Sequence, residues 1–226
     1  MSFEIRKDPK RVFICGTGSG WELVPKESSA MVYCLNDYIR AERYGVKMDR
    51  LFIMDILDEK PQIVAGMDNL GNVIKRINDL KVPLIAPCRY EEIPLSEEFP
   101  IEECAKRFGT PYFSNTIGYM IAYAIMQGAE EIETFGVNQA SSSEYGMEKA
   151  ATEYWLGIAV GCGIKVTIHG DKSELLTNKT RWGAGLLYGY NMPFEAIARE
   201  KERLGGLIKK LILPPRDVSR SVRKIN

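Results

Sequence analysis

The sequence predicts an α/β fold, an open and mostly parallel sheet with helices on both faces and a helical C-terminal extension. Three observations carry this. Short apolar runs recur along the chain and are nearly continuous, as strands covered on both faces are. Segments with helical apolar spacing lie between them, the alternation from which crossover connections build a parallel sheet. The first apolar run, Val12 to Cys15, passes directly into the glycine-rich turn Gly16-Thr17-Gly18-Ser19-Gly20.

The turn sets the reading of the rest. Glycines at 16, 18 and 20 let the backbone bend sharply and approach a ligand without Cβ clashes. Successive N–H groups in such a loop can cradle a phosphate, with the Thr17 and Ser19 hydroxyls as further donors. Pro25 stops any following helix after about one turn, so the dinucleotide fingerprint is incomplete, and the Gly-Lys-Ser/Thr of a Walker loop is absent. A tight turn after a first strand is the simpler reading of this stretch alone. A branched side chain at Gly18 is expected to fill the phosphate approach and leave the fold intact.

Taken in order, Ala30 to Leu35 reads as the second strand, and Tyr38 to Arg43 as a short helix closed by Gly45. Leu51 to Met54 is the third strand. The apolar spacing between Pro61 and Leu80 is helical, with Gly71 weakening its centre. Val82 to Ala86 is the fourth strand. Residues 88–112 carry Pro94, Pro100 and Pro111 and are expected as an irregular excursion broken by a short helix from Ile101 to Phe108. Ser114 or Asn115 caps the apolar helix Ile117 to Met126. Glu131 to Val137 is the fifth strand, Tyr145 to Val160 a helix, and Ile164 to Ile168 the sixth strand. These elements make residues 1–177 one Rossmann-like nucleotide-binding domain. Residues 178–226 follow as a helical extension whose tail carries Arg216, Arg220, Arg223 and Lys224.

Composition excludes several classes. Thirty Lys and Arg balance thirty Asp and Glu, so no net field draws the 226-residue chain to nucleic acid or a membrane surface. The basic tail is the one feature that could meet a polyanion. No apolar run reaches spanning length, and residues 1–10 lack the apolar core of a signal peptide. The five cysteines show no CxxC spacing, which points to a reduced, cytoplasmic chain without a Cys-based zinc site. An apolar stripe over residues 194–212 (Phe194, Leu204, Leu207, Leu211, Ile212) predicts a homo-oligomer.

In open α/β sheets, ligands bind beyond the carboxyl ends of the strands. The residues expected there are Gly16, Thr17, Gly18 and Ser19, then Asn36 and Asp37, then Asp55, the helix start Ser114-Asn115-Thr116, and Gly136 with Asn138. Small, amide, hydroxyl and acidic groups with backbone donors suit a nucleotide. Each of these residues also serves as an ordinary cap or turn former. Glu144, at the start of the helix that follows the fifth strand, is a candidate to hold a metal or to deprotonate an acceptor hydroxyl. Helix-dipole complementarity is its plainer role. Glu144 and Asn138 are the catalytic candidates, and whether a divalent metal takes part stays open.

The order of these motifs resembles a known superfamily. The pieces are the strand with Gly-Thr-Gly-Ser, the strand ending Cys-Leu-Asn36, then Ser-Asn-Thr-Ile-Gly-Tyr-Met120, then Gly-Ala-Glu-Glu-Ile-Glu-Thr-Phe-Gly136-Val-Asn138. They look like the group that joins bacterial CMP-sialic-acid-dependent sialyltransferases, flagellin-modifying glycosyltransferase-like proteins and archaeal 6-hydroxymethylpterin diphosphokinases. The likeness spans about residues 11–170 and is greatest to small phage-encoded members. It implies that Gly16 to Ser19 lie near the nucleotide phosphates, that Asn36 touches the nucleotide, and that Asn115 and Thr116 approach it from their helix start. It also implies that Gly136 and Asn138 match a Gly-x-Asp, with Asn in place of the usual Asp. The sialyltransferases use a histidine base, whereas the sole histidine here, His169, lies past the loop where that base belongs. Together these readings predict a nucleotide- or nucleotide-sugar-binding transferase moving a glycosyl or diphosphate group. A non-catalytic nucleotide-binding protein is the alternative.

Overall fold

A computed structural model of the chain describes residues 8–40, 45–57, 69–139, 148–170, 173, 175 and 176. Seven strands form one sheet: β1 (Asp8–Cys15), β2 (Ala30–Leu35), β3 (Arg50–Phe52), β4 (Leu84–Ala86), β5 (Ser96–Glu98), β6 (Glu131–Phe135) and β7 (Lys165–Ile168). Their order is β5-β4-β3-β2-β1-β6-β7, and every neighbouring pair is parallel. The described α-helices are α1 (Leu70–Leu80), α2 (Ile101–Phe108), α3 (Thr116–Met126) and α4 (Lys149–Gly161).

Alternation along β1 shows how the sheet is covered. Val12 and Ile14 join the core formed with α3 and α4, while Phe13 and Cys15 join a second core with Val73 and Ile77 of α1. Successive side chains of a strand point to opposite faces, so helices lie on both faces of the sheet. The buried residues of α3 run almost all round it, from Ile117 to Ile125, which is what a helix packed on β1, β2 and α4 requires. No described helix is long and apolar enough to cross a membrane.

The topology fixes where a ligand can enter. The chain winds outward from β1 to β5, then returns to lay β6 and β7 on the other side of β1. The strand order therefore reverses between β1 and β2 on one side and β1 and β6 on the other, the position beyond the carboxyl ends at which open α/β sheets take their ligands.

The sheet has seven strands where the sequence reading counts six. The additional one, β5, reads Ser-Glu-Glu and carries no apolar run, because it is a short edge strand with one neighbour. The excursion at 88–112 is thus partly strand, and its short helix falls at Ile101–Phe108 as expected. Smaller differences concern boundaries. β1 begins at Asp8, β3 and β4 keep three residues each, and Asn36–Arg40 is a 3-10 turn where a helix over Tyr38 to Arg43 was expected. α1 begins at Leu70, capped by Asn69, and α4 begins at Lys149. Residues 58–68 and 140–147, including Glu144 and Tyr145, lie outside the described residues. All described residues belong to the compact unit Met1–Asn178. The expected extension, its apolar stripe and the basic tail lie outside them.

Candidate functional site

At the switch point the loops after β1 and β6 are bonded to each other. Gly16 N–H donates to the Phe135 carbonyl and Gly18 N–H to the Gly136 carbonyl, each at 2.8 Å. The approach leaves no room for side chains. A Cβ on Gly16 would lie 2.5 Å from the Gly136 oxygen, and one on Gly136 would lie 2.7 Å from the oxygens of both Gly16 and Gly18. Gly136 also holds φ +64°, the left-handed region that glycine adopts at no steric cost. A Cβ on Gly18 would stand 2.6 Å from the Asn138 amide. The space that was assigned to an incoming phosphate at Gly18 is occupied by the protein itself, so a branched residue there strikes the fold first.

Further bonds complete the lock. The buried Tyr38 hydroxyl donates to the Gly16 carbonyl at 2.9 Å. With its amide oriented to satisfy both neighbours, Asn138 accepts from Ser19 N–H and Ser19 Oγ at 3.0 Å each and donates to the Ser19 carbonyl at 3.1 Å. One N–H of that amide remains. Gly20, at φ +99°, packs against Gly170, whose Cα a Cβ would meet at 3.3 Å. The ends of β1, β6 and β7 therefore form one fixed platform.

This consumes most of the turn's backbone donors. Besides Gly16 and Gly18, Ser19 N–H goes to Asn138, Gly20 N–H to Glu22 Oε2 at 3.0 Å, and Trp21 N–H to the Gly18 carbonyl at 3.4 Å. Among the described residues, Thr17 N–H alone of the turn meets no acceptor, and Thr17 is exposed. The expected cradle of successive free donors is thus reduced to the N–H and hydroxyl of Thr17. Asn36 follows β2 directly, half-buried, and its side chain meets no partner among the described residues. Asp37 is half-buried beside it. Asp55 is half-buried beyond β3, two strands from β1 and so about 10 Å along the sheet.

Asn115 caps α3. Its Oδ1 accepts from Gly118 N–H at 2.8 Å, while its Nδ2 donates to the Glu148 carbonyl at 2.8 Å and to Thr152 Oγ1 at 3.0 Å. Ser114 Oγ reaches the same Glu148 carbonyl at 3.4 Å, and Thr116 opens the helix. The Asn115 side chain thus ties the start of α3 to the start of α4. Asn115→Ala is expected to lower the unfolding free energy by about 1–2 kcal/mol, the range for a lost cap. Urea titration checks this, and an unchanged midpoint would show that the cap contributes nothing.

Sequence reasoning singled out neither of two further features. Glu133 on β6 is buried, with Arg11 of β1 at its Oε1 (Nε at 2.9 Å, Nη2 at 2.5 Å) and His169 Nε2 2.6 Å from its Oε2. Burial pushes the carboxyl upward, but the bonds from His169 and Arg11 outweigh it and hold Glu133 below the ordinary glutamate value. His169 also stacks on Phe135 at 4.3 Å, nearly parallel, so it packs against the sheet at the end of β7. The alternation Glu131-Ile132-Glu133-Thr134 puts both acids on one strand face, a signal present in the sequence. The second feature is Gln139, which adopts φ +40° and is 8% exposed, with Oε1 shielded from solvent and without a hydrogen-bond partner among the described residues. A buried acceptor left unpaired costs about 1–3 kcal/mol, and a non-glycine residue in the left-handed region about 1–2 kcal/mol. Among the described residues no three His, Cys, Asp or Glu side chains are grouped as a metal ion would need.

No family model and no curated protein sequence matches the chain. Among solved structures it is similar to the sialyltransferase CstII from Campylobacter jejuni in complex with cytidine-5'-monophosphate, with 15% identity, 75% of this chain and 86% of that one covered, and a TM-score of 0.47. It is similar also to a CstII variant in complex with CMP, with 14% identity, coverages of 85% and 99%, and a TM-score of 0.49. A third is the apo α-2,3-sialyltransferase from C. jejuni, with 13% identity, coverages of 90% and 99%, and a TM-score of 0.46. At these scores and identities the likeness carries no argument about ligand or reaction.

Proposed function

We propose that the chain binds a nucleotide or nucleotide sugar at the β1–β6 switch point and transfers a glycosyl or diphosphate group from it to a separate acceptor. The observation that supports this best is the fixed platform of interlocked strand ends at the topological switch point. Group transfer needs donors that are in place before charge develops on the leaving phosphate, because such donors cost no reorganisation during the reaction. Thr17 offers an N–H and a hydroxyl at the tip of the turn, and Asn36 offers an amide beside it. In this reading Thr17 meets the phosphate, Asn36 the ribose or base, and Glu144 takes the proton of the acceptor hydroxyl. Asn138 acts as a positioning residue that holds Ser19 and keeps one N–H for the ligand.

A panel of nucleoside monophosphates, nucleoside diphosphates and nucleotide sugars tests the proposal. Thermal shift should identify a binding nucleotide, and its sugar or diphosphate conjugate should be slowly hydrolysed. A shift without turnover of any donor selects the non-catalytic binder. Absence of any shift across the panel removes the reading altogether.

A further inference from the structure

We infer that Tyr38 is a positioning residue whose hydroxyl aims the free backbone donor of the glycine turn at the phosphate of a bound nucleotide. The inference rests on the nucleotide-binding reading above and adds the residue that readies its phosphate contact. The Tyr38 hydroxyl donates to the Gly16 carbonyl at 2.9 Å, from the 3-10 turn Asn36–Arg40 that follows β2. That carbonyl and the Thr17 N–H belong to one peptide unit. A peptide unit is planar, and among the described residues no peptide bond is cis, so the carbonyl and the N–H point in opposite directions. Holding the carbonyl therefore fixes the direction of the N–H. Tyr38 and Gly16 are buried, whereas Thr17 is exposed. The carbonyl is thus drawn inward to the hydroxyl, and the N–H that meets no acceptor points away from it.

The neighbouring peptide units show why this bond matters. Gly16 N–H is held by the Phe135 carbonyl and Gly18 N–H by the Gly136 carbonyl, so the units on either side are pinned to β6. The unit between them is held from the opposite flank, by Tyr38. A glycine precedes that unit, and without a Cβ it resists rotation of the plane less than another residue would. A hydrogen bond accepted at the carbonyl also polarises the peptide and makes its N–H a stronger donor. A donor fixed before the ligand arrives costs no reorganisation when charge develops. The same bond ties together two turns, because Tyr38 lies two residues after Asn36 and Gly16 directly before Thr17. The groups proposed to meet the phosphate and the nucleoside are therefore held at one spacing.

Tyr38→Phe keeps the ring and removes the hydroxyl. Calorimetry on the full chain, well below the melting temperature, compares the nucleotides of the panel above with their parent nucleosides. A nucleotide that binds wild type should bind the variant roughly 3- to 10-fold more weakly, the range for one lost hydrogen bond. Its nucleoside should bind both proteins equally, because it brings no phosphate to the Thr17 N–H. Unchanged nucleotide affinity overturns the inference. Equal weakening of nucleotide and nucleoside also overturns it, since the hydroxyl would then support the fold and no particular contact. The wild-type chain supplies a second arm that needs no substitution. In amide NMR spectra the Thr17 N–H should move downfield on adding that nucleotide and stay in place on adding the nucleoside. A Thr17 resonance unmoved by the nucleotide overturns the role of Tyr38 and leaves the nucleotide site standing. Failure of the whole panel to bind overturns both.

Discussion

Gly136→Ala is expected to lower the unfolding free energy by roughly 3 kcal/mol and to abolish ligand binding in whatever protein still folds. Two costs add. A side chain at φ +64° enters the left-handed region, which costs about 1–2 kcal/mol for an L residue other than glycine. Its Cβ also meets the carbonyl oxygens of Gly16 and Gly18 at 2.7 Å and Trp21 Cβ at 3.0 Å. Two of those contacts are backbone atoms bonded into the sheet, so they cannot swing aside, and overpacking of this kind costs typically ~1–3 kcal/mol. Relief by separating the loops would break the Gly18 to Gly136 hydrogen bond and shift the platform on which Thr17 and Asn138 sit. Chemical denaturation of the variant beside wild type measures the first effect, and thermal shift with a bound nucleotide the second. A variant within about 0.5 kcal/mol of wild type, the spread of ordinary surface changes, would show that the two loops are not rigidly interlocked. Gly128 serves as the comparison, since its φ is +80° but a Cβ there meets nothing within 4 Å. Gly128→Ala should therefore show the backbone cost alone.

That pair of glycines also marks what the sequence could reveal and what it could not. Gly16, Gly18 and Gly136 were legible as a strand-end constellation, because apolar runs ending in glycine imply close backbone approach. Their partner was not. The sequence suggests a phosphate against Gly18, and the structure puts Asn138 there. Which object occupies the space beside a glycine depends on strand order, and a single sequence does not carry the return of β6 to the flank of β1. The same cause hid Tyr38, whose hydroxyl closes on Gly16 from a turn read as the start of a short helix. Parallel strands with near-continuous apolar runs, and the buried α3, were legible because burial on both faces leaves a composition signal. β5 was not, since an edge strand of Ser and Glu has none. Asn115 was placed correctly at a helix start, but its three bonds run to α3 and α4, and a cap and a ligand contact use the same residue type.

Glu133→Leu is expected to lower stability at neutral pH by about 2–3 kcal/mol, with Glu133→Gln losing less. Removing one member of a buried ion pair typically costs ~3–5 kcal/mol, because the remaining charge is left unpaired in a poorly solvated place. The cost here falls below that range for a stated reason. Arg11 is 41% exposed and keeps Glu131 at 3.3 Å, so part of its charge stays solvated and paired. His169 has no such second partner among the described residues, and its ring is held by Phe135. Glutamine keeps the shape and can still accept from Arg11, which is why it should lose less than leucine. The pH dependence separates the ionic part from packing. The folded-state pKa of Glu133 lies below the ordinary value of 4.5. Its ionisation therefore contributes stability that is fully present above 4.5 and is lost as the pH falls through the lower folded value, where both states bind the proton. The gap between wild type and Glu133→Gln should accordingly hold on the alkaline side of 4.5 and narrow below it, while the packing loss of Glu133→Leu persists in acid. Urea titrations of the three proteins across that range check the sign. A wild-type-to-glutamine gap that widened as the pH fell would mean that the carboxyl is raised in the folded protein, with burial outweighing Arg11 and His169.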